Sequence, residues 1–223
     1  MDAVIKVGGS MAADTAVLKA LCMEIGRLAE RFRLVVVPGG GEFADAVRTV
    51  DERFGLSSRV SHRMAVLGMD QYGLLLSELI SKSRLAHSLG VIEGMSGSGH
   101  AVVLMSSRVV SRARSLEASW DVTSDSIAAY VAARLSAEKL VLVTDVDGVF
   151  SANTEVEARA ELLEEVSASS LLQLGVRTSV DRFLPKLLLK YELECFVVNG
   201  RYPERLRRVL AGEPTVHTRI IPK

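Results

Sequence analysis

Three short apolar runs in this chain stop at residues that a buried strand does not need for its own stability. Ala3-Val-Ile-Lys-Val7 ends at Gly8-Gly9, Leu34-Val-Val-Val37 at Pro38-Gly39-Gly40-Gly41, and Leu140-Val-Leu-Val143 at Thr144-Asp-Val-Asp-Gly148. Unbroken apolar runs, unlike alternating ones, indicate strands covered on both faces, the usual condition of a parallel sheet. Helical segments lie between them. Thr15 to Arg31 places Leu18, Leu21, Cys22, Ile25, Leu28 and Ala29 on one face, and Glu42 to Phe54 reads as a second helix. A long helix capped at Ser57 or Ser58 is predicted to run through Ile80 towards His87, burying Met64, Leu67, Leu74 and Leu75. Short strands are expected near Val91-Ile92 and over Ala101 to Met105, separated by the loop Gly94 to His100. Ser124 to Leu135 reads as a helix with Asp125 in its first turn, where a negative charge suits the helix dipole. Helices at about 167–174, 183–192 and 203–210 and strands at about 195–198 and 218–221 complete the pattern. Strands alternating with helices predict an α/β protein with a mainly parallel sheet. The polar stretch Ser151 to Ala160 reads as a loop too short to link domains, so 1–223 reads as one domain.

Charge removes several classes of function. Lys+Arg and Asp+Glu both number 27, for a formal net charge of zero. The basic excess of a nucleic-acid or membrane-surface protein is absent, and a chain 48% hydrophobic without net charge is not of the disordered type. The longest stretch free of Lys, Arg, Asp and Glu, Gly94 to Ser107, is too short and too broken for a membrane-spanning helix. No signal-peptide layout surrounds Asp2 and Lys6. Cys22 and Cys195 stand alone in apolar surroundings without a CxxC, as reduced thiols of a cytoplasmic protein would. No zinc site is visible.

The chemistry is expected at the carboxyl ends of the strands, where open parallel sheets bind ligands. Adjacent glycines at Gly8-Gly9 let backbone N–H groups approach an anion, and Lys6 can aim its ammonium there; a tight turn beside a lysine whose stem packs on apolar surface is the plainer alternative. Gly39-Gly40-Gly41 is costly in conformational entropy, which close approach of a ligand or close packing of a helix would explain. Thr144 to Phe150 can form a turn that holds a ribose or adenine edge, although an Asp-Gly turn follows many strands. Neither GxGxxG nor GxxxxGK[ST] is present.

Taken together, Lys6-Val-Gly-Gly-Ser10, Pro38 to Gly41, Asp121-Val-Thr-Ser-Asp125, Ala137 to Val149 and Phe183-Leu-Pro-Lys186 resemble the amino-acid kinase superfamily over nearly the whole chain. The resemblance implies a three-layer αβα sandwich, a homo-oligomer, and phosphoryl transfer from ATP with Mg²⁺. By the same resemblance Lys6 contacts the transferred phosphoryl group, Asp125 orients the lysines, and Lys186 is the second lysine. Gly8, Gly9 and Ser10 surround the ATP phosphates, while Thr144, Asp145, Gly148, Val149 and Phe150 form the nucleotide side. Gly39, Gly40 and Gly41 close on the acceptor, and Asp121 and Thr123 contact it. No residue is assigned as a resident metal ligand. Phosphoryl transfer needs alignment and positive charge more than covalent chemistry, and these groups supply both. Three departures stand out: Ser179-Val-Asp181 where many relatives carry Gly-Gly-Met, Ser151-Ala-Asn153 for the usual Asp-Pro, and His217-Thr218 for Gly-Thr.

For the acceptor, Ser61 to Tyr72 and Trp120 to Ser126 resemble a small branch that phosphorylates an aminomethyl-furan-methyl phosphate on the way to methanofuran. Arg48, Arg59 and Arg63 could hold such a phosphate and Asp121 its ammonium, although arginines on a solvated helix face need no ligand. His62 is a further substrate-binding candidate. Trp120 could stack on the furan ring or pack as core. A carboxylate kinase, another phosphate-monoester kinase (isopentenyl phosphate, UMP), and a nucleotide-binding storage or regulatory protein are the alternatives. No nucleic acid or membrane partner is expected.

Overall fold

The computed structural model describes residues 1–95, 97, 99–151, 160–174 and 178–223. Along the chain run β1 (Ala3–Val7), a 3-10 turn (Gly9–Ala13), α1 (Thr15–Leu28), β2 (Leu34–Pro38), α2 (Gly41–Phe54), α3 (Ser58–Leu79), β3 (Arg84–Ala86), α4 (Leu89–Met95), β4 (Val102–Leu104) and α5 (Ser106–Val110). Then follow α6 (Ser124–Arg134), β5 (Lys139–Thr144), β6 (Val149–Phe150), β7 (Leu162–Leu163), β8 (Glu165–Ser167), α7 (Ala168–Leu174), α8 (Leu184–Tyr191), β9 (Cys195–Asn199), α9 (Pro203–Ala211) and β10 (Thr218–Ile221).

Among the described residues, eight strands form one sheet in the order β3-β4-β2-β1-β5-β9-β10-β8, and β6-β7 make a separate hairpin. β3 through β9 in that order run parallel, and β10 turns antiparallel to β9. Side chains alternate between two apolar layers. Val4, Val35, Leu140 and Val197 pack on the side of α6 and α8; Ile5, Val36, Val141 and Val198 pack on the side of α1 and α9. Both faces are therefore covered, which is why the strands read as unbroken apolar runs. Helices on both sides of a mostly parallel sheet make the expected αβα sandwich.

Residues Leu18, Leu21, Cys22, Ile25, Leu28 and Ala29 are all buried, and both cysteines are buried free thiols. The long helix is a correction. It ends at Leu79, where Lys82 takes a φ of 56°, and Arg84–Ala86 is a strand paired with β4. Val91-Ile92 lies in α4, not in a strand. On α3 the buried face is His62, Ala65, Val66, Met69, Tyr72 and Leu76. Leu67, Leu74 and Leu75 are exposed and Met64 is only half-buried, against expectation. In the expected loops, Ser96 and Ser98 and residues 152–159 lie outside the described residues. Among the described residues no helix is long and apolar enough to cross a membrane.

Candidate active site

β1 sits between β2 and β5, so the crossovers leaving it diverge and open a crevice at the carboxyl ends of these strands, the usual ligand site of such sheets. A cavity of 860 Å³ occupies that crevice. Strand alternation turns Lys6 towards the same face as Val4, the face on which α6 packs. There its Nζ meets Asp125 Oδ1 at 2.8 Å, both residues being more than nine-tenths buried. Asp125 stands in the first turn of α6, whose positive dipole end faces the cavity.

One wall is main chain. A Cβ on Gly9 would lie 2.1 Å from Gly41 N, and one on Gly39 2.5 Å from Gly9 N. The two glycine loops therefore touch backbone to backbone, which no side chain would allow. Gly41 takes a φ of 53° as it opens α2, where a glycine carries no Cβ penalty. Tyr72 donates its hydroxyl to Gly8 O at 3.3 Å and so props this loop from α3. Ser10 Oγ donates to Asp145 Oδ1 at 3.0 Å, joining the first loop to the end of β5. Lys6, Gly8, Gly9, Ser10, Gly40, Gly41, Thr144, Asp145 and Phe150 all line the cavity.

The opposite wall is side chain: Arg48, His62, Met69, Trp120 and Thr123. Trp120 Nε1 donates to Asp51 Oδ2 at 2.8 Å, and the Arg48 guanidinium lies 4.9 Å over its ring while pairing with Asp45. Trp120 is thus half-buried and shared between α2 and the cavity. His62 is 6% exposed, and among the described residues its Nε2 has no hydrogen-bond partner. Burial holds this imidazole below its ordinary pKa, partly offset by a hydrogen bond to the Val122 backbone. Burial favours the neutral form of the ring at this point of the cavity lining.

Other candidates lie elsewhere. Lys186 is exposed on α8, its ammonium 5.2 Å over the Phe183 ring, and it does not line the cavity. Asp121 is exposed and faces Arg182 at 4.0 Å, and Arg59 and Arg63 point to solvent. Gly39 underlies the wall without lining it. Gly148 and Val149 are structural: the Val149 amide donates to Thr218 Oγ1 at 2.8 Å, and a Cβ on Gly148 would strike that oxygen. Sequence reasoning missed Asp45 and Glu42, which line the cavity from α2, because charges on a helix face carry no signal of their own. It also passed over Asp181, noting only the departure around it. Burial and the Asp125 charge raise the Asp181 pKa, against hydrogen bonds from Ser126 and Thr123.

The family model "Amino acid kinase family" matches residues 1–199. The chain belongs to the amino acid kinase family. It is a kinase, and its mostly parallel, helix-flanked sheet is the fold of that family. The (5-(aminomethyl)furan-3-yl)methyl phosphate kinase of Methanocaldococcus jannaschii is 30% identical over 218 residues, 98% of this chain and 97% of the relative. The molybdenum storage protein subunit beta of Azotobacter vinelandii is 25% identical, over 94% of this chain and 82% of its own. The crystal structure of uridylate kinase from Archaeoglobus fulgidus superposes with a TM-score of 0.78 at 20% identity, covering 99% of this chain and 100% of that one. That last likeness is one of fold.

Proposed function

We propose that this kinase transfers the γ-phosphoryl group of ATP to a small phosphate monoester, forming a diphosphate, and that the acceptor is (5-(aminomethyl)furan-3-yl)methyl phosphate. The observation that carries the reading is the buried Lys6–Asp125 pair at the floor of a cavity with one wall of glycine backbone and one of Arg48, His62 and Trp120. The full-length similarity to the methanocaldococcal enzyme supports the acceptor.

The residues fit a nucleotide triphosphate. A Cβ on Gly8 or Gly9 would be blocked by Val143 O or Gly41 N, so both leave bare backbone beside Lys6. Gly40 and Gly41, expected on the acceptor, touch that loop and are assigned with it to the phosphates, and the N-termini of α2 and α6 favour anions. Among the described residues no group of three or more His, Cys, Asp or Glu is placed to hold a metal ion. Mg²⁺ would arrive with the nucleotide, and Asp145 and Ser10 are oxygen-bearing residues of the lining that could hold it. When bound, Mg-ATP supplies the phosphoryl group. Lys6 neutralises charge on the oxygens in transfer, Asp125 keeps that ammonium aimed, and the glycine amides hold the phosphates in line. Thr144, Asp145 and Phe150 face the nucleoside. An acceptor phosphate is already an anion, so no general base is required. Arg48 holds that phosphate, Trp120 offers its ring, and Thr123, whose amide and hydroxyl both donate to Asp181, lines the cavity beside them. Glu42 and Asp45 meet the ammonium in place of Asp121, with His62 in the same lining. Lys186 serves as second lysine by swinging its long side chain in from α8. The chain works as one domain, in the cytoplasm, as a homo-oligomer through the exposed Val60, Leu67 and Leu74 of α3.

A coupled ADP-release assay with Mg-ATP tests this against the furan phosphate, isopentenyl phosphate, UMP and acetylglutamate. Turnover of the furan phosphate alone is expected. Turnover of another member keeps the kinase and discards the acceptor. Silence with ATP still bound favours a storage role, like that named for the Azotobacter relative.

A further inference from the structure

Asp181 lies between the first turns of α6 and α8, 2% exposed. Its Oδ2 accepts from the Thr123 amide and hydroxyl, both at 2.9 Å, and from the Ser126 amide at 3.0 Å. Its Oδ1 accepts from Ser126 Oγ at 2.6 Å and from the Phe183 and Leu184 amides at 3.1 and 2.7 Å. Six donors exceed the roughly four lone-pair positions that a carboxylate offers. Two helix N-termini also turn their dipoles on this one group.

Capping α8 alone needs only the bonds to Phe183 and Leu184, which a surface serine would provide. Burying a charge is costly unless it is hydrogen-bonded, and here the extra bonds all go to α6, on either side of Asp125. The link to the site is direct. The Asp181 amide donates to Asp125 Oδ2 at 3.1 Å, and Asp125 Oδ1 holds Lys6 Nζ. Lys186 stands on the α8 turn that the same carboxylate fastens, its amide bonded to Phe183 O. We infer that Asp181 is a positioning residue: it bolts the first turns of α6 and α8 together, fixing Asp125, and through it Lys6, relative to Lys186. The inference rests on the phosphoryl-transfer reading of the Lys6–Asp125 cavity.

Asp181→Ser separates this role from capping. Its hydroxyl can still cap α8, but a single oxygen cannot also span to Thr123 and Ser126. Three readouts apply: thermal unfolding, the rate at which acetic anhydride labels Lys6 relative to exposed Lys19 (by mass spectrometry), and kcat and KM for Mg-ATP with the furan phosphate. Asp181→Ser should regain most of the Tm lost in Asp181→Ala. Its Lys6 labelling ratio should nevertheless rise about fivefold, the effect of one lost hydrogen bond. Its kcat should fall about tenfold to a hundredfold with KM for ATP nearly unchanged, as misplacement of a catalytic group predicts. Ser126→Ala deletes the 2.6 Å bond and leaves the α8 cap intact. It should shift labelling the same way by a smaller factor even if every Asp181 variant misfolds. A wild-type labelling ratio in Asp181→Ser, or in Ser126→Ala should the former not fold, overturns the inference. Absence of acceptor turnover by the wild-type protein would instead overturn the function proposed above, and the labelling would still decide the role of Asp181.

Discussion

The two walls of the cavity are built from different material. On the sheet side, Gly8, Gly9, Gly40 and Gly41 present backbone held by strands β1, β2 and β5, and loop touches loop so closely that a single Cβ would intrude. On the α2–α3 side, Arg48, His62 and Trp120 reach in from two helices and a loop, and each could change without disturbing a strand. Amide donors fixed by a sheet can bind the phosphates of any nucleotide, whatever the acceptor. Side chains on helix faces can differ from one acceptor to the next. The comparison teaches that the donor half of the proposed reaction is written into the fold and the acceptor half into replaceable residues.

The largest expected effect sits on the floor between the walls. Lys6→Ala should lower kcat by about 10²–10³, the scale for removing one electrostatic contact to a transition state, while its circular-dichroism spectrum stays native; wild-type kcat would take Lys6 out of the chemistry. Next comes the backbone wall. Gly9→Ala places a methyl 2.1 Å from Gly41 N, an atom with no rotamer to escape into. Overpacking of this kind costs about 1–3 kcal/mol, and because the loops must part, KM for ATP should rise as Tm falls. A Gly9→Ala protein with unchanged Tm and KM would erase the distinction between the walls. Arg48→Ala probes the other wall. It should raise KM for the acceptor about tenfold, equivalent to one charge-assisted hydrogen bond, and leave KM for ATP alone; a rise in both would show that the walls do not divide the work.

The same division governs what could be read from the sequence. Continuous apolar runs over Ala3–Val7, Leu34–Val37 and Leu140–Val143 announce strands covered on both faces, and the glycines that follow them mark close backbone approach. Short edge structure is less legible. Arg84-Leu-Ala86 has no β-branched residue and is a strand only because β4 pairs with it, so nothing in the sequence marks where the helical pattern before it stops. Val91-Ile92 is β-branched and still helical in α4, its tertiary setting overriding local preference. On α3 the apolar residues Leu67, Leu74 and Leu75 occupy the exposed face, and apolar content without phase misplaces the core. Asp181 illustrates a further limit. Its six bonds come from residues 55 to 58 positions away and from its own helix start, and pairing at such distance leaves no local pattern.

The smallest effect is one that only the side-chain wall can show, since it depends on pH. His62 is buried and its folded pKa lies below the ordinary value of 6.5. On acidification the unfolded chain therefore takes up this proton first. Stability attributable to His62 is complete above pH 6.5 and is lost as pH falls from there towards the folded value, with a slope of at most about 1.4 kcal/mol per pH unit. His62→Gln keeps a polar side chain but cannot titrate. Urea unfolding of both proteins at pH 7.5 and 5.5 should show the wild type losing ground to the variant at the lower pH. A difference that stays constant between the two pH values would mean that the imidazole is solvated in the folded protein. In that case the cavity wall at His62 is open to water and is not closed by a buried neutral ring, and charge selection for an ammonium-bearing acceptor rests on Glu42 and Asp45.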